Sequence, residues 1–520
     1  MLATWLVWYP PSPDLAAQTY RVHLFSIDGF SLWDNSWYAG HYIPSYSLLF
    51  PALGATLGLR LTGALAVCCS VWAFRSLLAE RGGLRVNLAT AVFASGALGD
   101  LFIGRVTFAV GVSLGLLSAL ALARGRHWSC AAFSLGCAAI SPVAAAFLVL
   151  VASGDLLAAR SARRFAVLAG PALALGAVTL ALFPEQGYEP FGLGSLLAAL
   201  GAGGGVLLLA PPSERLIRCT ALLYVLALLV DYVVRSPMGS NAVRFGILFA
   251  PTALAACVKG EDLKRVTVWA RRRSRSQQVT SHAAAGGRVH SALVTMVGAA
   301  LVLWQVNGPI AQSVGAADDP TSHASFYSPV ITYLDRRAAG APMRIEVPFT
   351  KSHWDATILG DRFALARGWD RQLDTSDNAI FYERRLTAPV YRAWLSENAV
   401  RFVALSDASL DFSSVQEAAL IRAGLPFLRQ VFAGRNWHVY EVLGSAPLAS
   451  GADTLTALDG DGFSLRAEHA GASIVRVRFT PYWTVTSGLA TVSRAPGGWT
   501  LVDAKVPGGI AIDAEFLPAL

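Results

Sequence analysis

The sequence predicts a polytopic α-helical membrane protein that carries a C-terminal extracytoplasmic region of α/β and β-sandwich-like structure. Two observations predict this fold class. The 520 residues are 54% hydrophobic and only 15% charged, with a mean hydropathy of +0.48, whereas soluble domains carry about 25% charged residues. Residues 1–310 contain long apolar runs, while residues 311–520 alternate apolar and polar residues. This composition argues against one large soluble enzyme and against a collagenous or disordered chain.

The distribution of charges and cysteines further restricts the kind of protein that the sequence predicts. The net charge of +8 comes largely from arginine clusters beside apolar runs, such as residues 271–275. Such clusters are typical of membrane topology signals, so we expect the lipid bilayer as a partner and no nucleic acid. All six cysteines precede residue 258, and residues 311–520 have none. The C-terminal region therefore has no disulfide, and no Cys/His zinc spacing occurs.

Apolar runs predict about 10 to 11 membrane helices, including a short hairpin, since a spanning helix needs about 20 apolar residues. Residues 1–9 are apolar but short, and we interpret them as one end of a first span. The other candidate spans are residues 61–78, 86–100, 106–123, 165–183, 191–211, 216–234, 241–258 and 291–309.

Residues 128–158 are apolar throughout but are interrupted by Ser141 and Pro142. A proline removes one helical hydrogen bond and usually kinks or ends a helix. We therefore predict two short helices that meet at Ser141, forming a hairpin with both ends on one side of the membrane.

Arginine distribution predicts the orientation, because cytoplasmic loops are enriched in Lys and Arg. With the hairpin, all the clusters fall in the cytoplasm: residues 75–85, 124–126, 160–164, 215–218 and 265–288. The outer loop 10–45 and residues 311–520 then lie outside, and residues 259–290 form a basic cytoplasmic loop. We expect a multi-pass protein of the plasma (inner) membrane, with a transmembrane domain over residues 1–310.

Candidate catalytic residues lie in the outer loop. Asp14 follows the first span at the start of a predicted helix, residues 15–26, whose apolar spacing predicts that it lies on the membrane face. A carboxylate there can act as a general base toward a hydroxyl, or it can cap the helix. Asp34 is the second catalytic candidate, and His41 is a candidate for substrate binding. The two residues form either an acid/base pair or, as the favoured alternative, a loop staple, that is, a hydrogen-bonded pair that fastens the loop.

Other polar residues are predicted on the same outer side. Arg105, Glu185 and Arg244 flank apolar runs at their predicted outer ends. Ionisable residues at this depth usually face an internal cavity and pair with something, and the guanidinium fork suits phosphate oxygens. For Arg105 or Arg244 alone, an interhelical ion pair is the default interpretation, and their convergence on one side is the stronger indication of a site.

With these features the sequence resembles the GT-C superfamily of membrane glycosyltransferases. Within that superfamily it is similar to the actinobacterial proteins related to the arabinosyl- and mannosyltransferases of cell-envelope assembly. The similar features are the aspartate-bearing outer loop after the first span, the surface helix, the hairpin broken at a proline and the C-terminal outer domain. The stretches that carry the resemblance are PDLAAQTYRVHLF, LWDNSWYAGHYIP, GDLFIGRVTFAVG, AISPVAAAF and GSNAVRFGILFAP, all in the first half of the chain.

The resemblance implies a GT-C-like transmembrane fold and transfer of a sugar from a polyprenyl-phosphate donor to an envelope glycan or lipid acceptor. Asp14 would be the catalytic base, Ser141 would line the cavity where relatives often have His-Pro, and Arg105 or Arg244 would bind the donor phosphate. The lipid-linked sugar is a substrate, so we expect no cofactor, and a divalent metal stays an open question.

The outer region is predicted to divide into an α/β domain, residues 311–450, and a small β-sandwich-like module, residues 451–520. Strands are predicted at residues 343–349, 400–406 and 437–443, and helices at residues 387–399 and 413–424, the latter capped by Ser413. Trp369, in the charged and aromatic run 351–387, is a candidate sugar-binding residue. The run is equally compatible with a loop packed through internal ion pairs.

Two other functions remain open. A lipid or solute transporter predicts an internal repeat and polar residues on both membrane sides, whereas the sequence shows no repeat and its polar groups gather on one side. A non-catalytic envelope scaffold, which binds glycan or partner proteins through residues 311–520, predicts that substitution of Asp14 has no effect.

Overall fold

The computed structural model describes residues 1–82, 85–185, 187–257, 282–451 and 453–516, with no side chain described over 282–291. The predicted basic loop 259–290 thus lies largely outside the described residues. The chain divides into two compact units. Unit 1 comprises Met1–Pro10, Leu57–Leu182 and Tyr188–Val314, and unit 2 comprises Pro11–Thr56, Phe183–Gly187 and Gly315–Leu520.

Unit 1 is built from the apolar runs, and each predicted span forms a helix. Seven described helices are long and apolar enough to cross a membrane, which is compatible with a multi-pass membrane protein. The helices are α1 (Leu2–Trp8), α4 (Leu59–Arg81), α5 (Val86–Phe102), α6 (Val106–Ala123), α7 (His127–Ile140), α8 (Pro142–Ala159), α9 (Ala162–Leu182), α10 (Leu193–Leu209), α11 (Arg215–Val233), α12 (Val243–Cys257) and α13 (His282–Ala317).

The predicted helix break at Ser141 is confirmed. Ser141 has extended backbone angles, and its side chain accepts a hydrogen bond from Ala144 N at 3.3 Å, which caps α8. The prediction of two short helices is right for α7, with 14 residues, and wrong for α8, whose 18 residues suffice for a span. Helix α8 is longer because its apolar run continues without a breaker to Ala159.

Unit 2 contains a five-stranded sheet in the order β4-β3-β5-β7-β6, in which β3 is parallel to both of its neighbours and the other pairs are antiparallel. Its strands are β3 (Arg344–Glu346), β4 (Ala364–Leu365), β5 (Val400–Ser406), β6 (Leu428–Gly434) and β7 (Trp437–Val442). The helices that accompany it are α14 (Ala324–Ala338), α15 (Trp354–Gly360), α16 (Arg371–Asp377), α17 (Ala388–Glu397) and α18 (Val415–Ala423). The predicted α/β character and all three predicted strand positions are confirmed.

Residues 454–514 form two antiparallel sheets, β10-β13-β12 and β11-β14-β9-β8. Their alternating inward residues, among them Val475, Trp483 and Ile512, share one buried core, as in a β-sandwich. The strands are β8 (Thr454–Leu458), β9 (Gly462–Ala467), β10 (Gly471–Arg478), β11 (Trp483–Ser487), β12 (Ala490–Arg494), β13 (Trp499–Ala504) and β14 (Gly508–Ala514).

The outer loop is an integral part of unit 2. It forms α2 (Pro13–Asp28) and the paired strands β1 (Trp33–Asp34) and β2 (His41–Tyr42), and α3 (Phe50–Leu57) follows it. Leu15 and Tyr20 of α2 are almost fully buried, and Tyr20 belongs to the core of the α/β sheet. The prediction that this apolar face lies on a membrane surface is therefore wrong, because the face packs inside unit 2.

Candidate functional site

Asp14 occupies the first turn of α2. Ser12 is the N-cap residue and Pro13 the first helical residue, so Asp14 does not cap the helix. Its negative charge is instead favourable near the positive end of the helix dipole. The Asp14 side chain is half-buried, and its backbone carbonyl accepts a hydrogen bond from Gln18 Nε2 at 2.7 Å. The carboxylate is thus attached to a defined, ordered helical turn.

Two tryptophans hold the segment that leads into Asp14. Trp369 Nε1 donates a hydrogen bond to the carbonyl oxygen of Pro13 at 2.8 Å, and Trp354 Nε1 donates to Pro11 at 3.1 Å. A third bond, from Thr357 Oγ1 to Ala16 O at 2.9 Å, lies just beyond Asp14. Carbonyl groups before and after Asp14 are therefore fixed by the α/β domain.

Trp369 is itself supported by a charged cluster. Its ring stacks on His353 with a centroid distance of 3.4 Å, and the Arg371 guanidinium lies 4.9 Å from its ring centroid. Asp411 joins both neighbours, through His353 Nε2 at 3.3 Å and Arg371 Nη2 at 2.8 Å. Burial lowers the pKa of His353 to about 4 despite the nearby Asp411 carboxylate. His353 is therefore neutral at pH 7 and acts as a stacking partner.

Arg21 connects α2 to the same region. It is almost fully buried, pairs with Asp370 at 3.0 Å, and places its guanidinium 3.9 Å from the Tyr46 ring centroid. Tyr38 donates its hydroxyl hydrogen to the carbonyl oxygen of Gly368. Gly368 has to be glycine, because a Cβ atom there would overlap the ring of Trp37. The turn that presents Trp369 is thus packed tightly against the outer loop.

Asp34 and His41 lie opposite each other in the β1–β2 ladder. Asp34 is fully buried and accepts hydrogen bonds from the Tyr20 hydroxyl and Ser36 N, both at 2.9 Å. His41 Nδ1 lies 3.2 Å from Asp34 O. Burial raises the pKa of Asp34 to about 6 and lowers that of His41 to about 3. This geometry is that of the loop staple, with both groups occupied by the loop itself.

Glu185 lies in the linker between α9 and α10, of which Phe183–Gly187 form part of unit 2. Its carboxylate accepts hydrogen bonds from Tyr42 N at 2.7 Å and from the Ser45 hydroxyl. Burial raises its pKa to about 8, the Asp370 carboxylate contributing in the same direction. Glu185 therefore attaches the linker to the outer loop.

The remaining predicted residues belong to unit 1. Arg105 pairs with Asp100 at 3.3 Å across the turn between α5 and α6. Arg244, near the start of α12, lies 5.7 Å from the ring centroid of Phe108, in the first turn of α6. The Cβ and Oγ atoms of Ser141 adjoin Gly111, one turn further along α6. The N-terminal turns of α6, α8 and α12 therefore bring these three side chains to one end of unit 1.

Sequence reasoning missed a buried ionic cluster centred on Arg367. This fully buried guanidinium bonds Asp374 at 2.7 Å and Glu417 at 3.4 Å, and Glu346 lies 3.9 Å away. Burial and the Glu417 carboxylate both raise the pKa of Glu346. The available signal was Glu346 itself, a charged residue in the middle of an apolar strand sequence, which usually requires a buried partner.

Ser413 also belongs to the surroundings of this cluster. The helix cap predicted at Ser413 is wrong by one residue, since Ser414 is the N-cap of α18. Ser413 instead accepts a hydrogen bond from Arg367 Nη2 at 3.2 Å and donates one to Asp411 at 2.7 Å. Cap prediction placed it one residue early because two consecutive serines fit the same pattern.

Among the residues that the structure describes, no group of three or more His, Cys, Asp or Glu side chains could hold a metal ion. Neither a protein-family model nor a curated protein sequence matches the chain. The candidate functional residues fall in two clusters: Asp14 with its tryptophan supports in unit 2, and Arg105, Arg244 and Ser141 in unit 1.

Proposed function

We propose that the protein is a membrane glycosyltransferase of the GT-C type, which transfers a sugar from a polyprenyl-phosphate donor to an extracytoplasmic envelope glycan or lipid. The observation that carries the proposal is the fixation of Asp14. Hydrogen bonds to Pro11, Pro13 and Ala16 hold the chain on both sides of this half-buried carboxylate. Such preorganisation is what a general base requires.

In the proposed reaction, the Asp14 carboxylate removes the proton from an acceptor hydroxyl. The acceptor oxygen forms a bond to the anomeric carbon of the sugar, while the bond from that carbon to the phosphate oxygen breaks. The lipid phosphate leaves with the electron pair of that bond. The resemblance to the GT-C superfamily implies Arg105 or Arg244 as the ligand of the phosphate, because a guanidinium group offers paired donors to its oxygens.

The difference in burial between the two candidate carboxylates, half-buried Asp14 and fully buried Asp34, supports Asp14 as the base. Asp34 is fully buried, its oxygens accept two hydrogen bonds from the loop, and burial raises its pKa to about 6. An acceptor hydroxyl could reach Asp34 only if the loop opened. Asp34 and His41 are therefore proposed to shape the outer loop rather than to contact substrate.

The test replaces Asp14 by asparagine, which has the same shape but is a very weak base. Membranes that contain Asp14→Asn should transfer sugar from a radiolabelled polyprenyl-phosphate donor about 10²–10⁴-fold more slowly, the range for loss of a general base. Asp28→Asn, on an exposed residue of the same helix, is the matched control and should leave transfer unchanged. Undiminished transfer by Asp14→Asn would refute the proposal.

A non-catalytic envelope scaffold is the second candidate. It is favoured by the internal pairing of the other predicted site residues, such as Arg105 with Asp100 and Trp369 with His353. It predicts that Asp14→Asn leaves cell-envelope composition unchanged, whereas a deletion within residues 315–516 alters it.

A further inference from the structure

A cavity of about 310 Å³ lies inside unit 1. Its walls come from helices α4, α6, α8, α9, α10, α11 and α12. The lining is almost entirely apolar, with Leu116, Phe147, Val206 and Phe249 among its residues. For comparison, an apolar cavity of about 150 Å³ in a soluble protein accommodates benzene and stays dry. The cavity in unit 1 is twice as large, so a flexible hydrocarbon chain can enter it.

The charged residues of the cavity lie at one end of the helix bundle. Arg81 is the last residue of α4, Asp155 lies near the end of α8, and Arg164 near the start of α9. Arg164 bonds Asp155 at 2.7 Å, so these two charges compensate each other. Among the described residues that line the cavity, the charges at this end then sum to +1, carried by Arg81.

Independent contacts place these helix ends together. Arg124, directly after α6, pairs with Glu80 of α4 at 3.0 Å. Arg85 N, directly before α5, donates to Ala256 O near the end of α12 at 3.0 Å. The cavity therefore begins at the end of unit 1 where α4, α6 and α12 end, which is opposite to the end that carries Arg105 and Arg244.

We propose that this cavity binds an acyl chain of an anionic phospholipid, with the lipid phosphate at Arg81. Most of the lining is apolar and offers few polar partners, whereas a buried water needs two to four. A membrane supplies acyl chains at high concentration, and a basic residue at the mouth selects an anionic head group. The site is distinct from the proposed donor site, since its charged end lies opposite to Arg105 and Arg244.

The full-length protein, purified in detergent and stripped of lipid by extensive washing, provides the test. Dioleoyl phosphatidylglycerol is added, and bound lipid is counted by native mass spectrometry together with the shift in unfolding temperature. Phosphatidylcholine with the same acyl chains tests whether the head group matters. Polyprenyl phosphate tests whether a different phosphate-bearing lipid occupies the cavity. We expect phosphatidylglycerol to bind more tightly than phosphatidylcholine and to raise the unfolding temperature. Polyprenyl phosphate also fits the proposed donor site, so its binding bears on the cavity only where Arg81→Gln or Ala119→Trp reduces it.

Two variants locate the binding site. Arg81→Gln should weaken phosphatidylglycerol binding about five-fold, which corresponds to about 1 kcal/mol for one basic residue at an anionic lipid. Arg126→Gln, an exposed arginine in the turn after α6 that does not line the cavity, is its control. Ala119→Trp fills the cavity and should abolish binding, while Ala177→Trp on the exposed face of α9 should not.

Equal binding of phosphatidylcholine and phosphatidylglycerol, polyprenyl phosphate binding that Arg81→Gln weakens more than it weakens phosphatidylglycerol binding, or an Arg81→Gln variant that binds phosphatidylglycerol like Arg126→Gln would each overturn the proposal. If Ala119→Trp does not fold, the two arginine variants and the wild-type lipid comparison still decide the question. None of these results depends on the role of Asp14.

Discussion

The indole nitrogen of Trp369 lies 2.8 Å from the carbonyl oxygen of Pro13, the residue immediately before Asp14. These two residues are separated by more than 350 positions in the chain, yet the bond joins the C-terminal α/β domain directly to the start of α2. The charged cluster of His353, Arg371 and Asp411 holds the Trp369 ring in place. The position of Asp14 therefore depends on residues that would otherwise be assigned only to the folding of the outer domain.

Trp369→Phe should lower kcat of the proposed transfer about 10- to 100-fold with little change in KM. Phenylalanine keeps a ring against His353 but removes the N–H donor, so the turn that carries Asp14 can shift, and small misplacements are costly to catalysis. Steady-state kinetics with the lipid-linked donor measure the effect. Trp128→Phe, on a tryptophan that is 91% exposed, is the control. If Asp14→Asn is inactive but Trp369→Phe is fully active, Asp14 is catalytic without this support.

Arg367→Met should destabilise unit 2 by about 3–5 kcal/mol, because it leaves buried Asp374 and Glu417 without their cation. Urea unfolding followed by tryptophan fluorescence gives the free energy of unfolding. Arg362→Met removes an exposed arginine from a 3.6 Å pair with Asp335 and should cost at most about 1 kcal/mol. Equal effects of the two substitutions would contradict the importance assigned to the buried cluster.

Unit 2 should become less stable as the pH rises from 7 to 8, because the buried Glu185 carboxyl group ionises in that range. Burial raises its pKa from 4.5 to about 8, so in this range the folded chain holds a proton that the unfolded chain has already lost. Stability present at low pH is thus lost as pH rises toward 8, by about 1 kcal/mol between pH 7 and 8. Asp34 and Asp355, with pKa values raised to about 6 and about 7, act in the same direction but mostly at lower pH.

The measurement is urea unfolding at about pH 6.5, 7, 7.5 and 8, values that approach the raised pKa of about 8 from below. Glu185→Gln keeps an oxygen acceptor for Tyr42 N and should flatten the profile above pH 7. Glu468→Gln, at an exposed carboxylate, should retain the wild-type slope. A wild-type profile that is already flat between pH 7 and 8 would contradict the raised pKa.

Gly187→Ala should detach the linker between α9 and α10 from unit 2. Gly187 has a φ of +132°, and a Cβ atom there would overlap the backbone carbonyl of Gln372, so alanine costs about 1–3 kcal/mol. Gly192→Ala, in the same loop with a φ of −71° and open space around it, is the matched control. Limited proteolysis should cleave near residue 187 faster in Gly187→Ala, and identical cleavage of both variants would disprove the expectation.

Local sequence patterns predicted the positions of helices and strands better than they predicted which segments pack against them. The apolar runs of unit 1 and strand β5 were predicted because burial on all sides leaves a continuous hydrophobic signal over a known length. The break at Ser141 was visible because proline acts on the backbone directly. Helix α2 was predicted as a helix, but its apolar face was assigned to the membrane, since amphipathic spacing does not say what covers the face.

The candidate site was predicted only as a set of residue types. Asp34 and His41 were recognised as neighbours because seven residues separate them in one loop. The bond between Trp369 and Pro13, and the carboxylates gathered around Arg367, depend on contacts between distant segments. Such contacts leave no periodic trace in a single sequence, so neither was predicted.

Unit 2 is assembled from three separate stretches of chain, Pro11–Thr56, Phe183–Gly187 and Gly315–Leu520. During synthesis the first stretch emerges long before the third, and strand β14, near the C-terminus, pairs with both β9 and β11. Tyr20 and Trp37 therefore lack their packing partners in the α/β sheet, and Trp33 lacks Trp483, until the third stretch has been made. We expect this early segment to need protection by a chaperone. A recombinant fragment that begins at residue 315 would lack part of its own core.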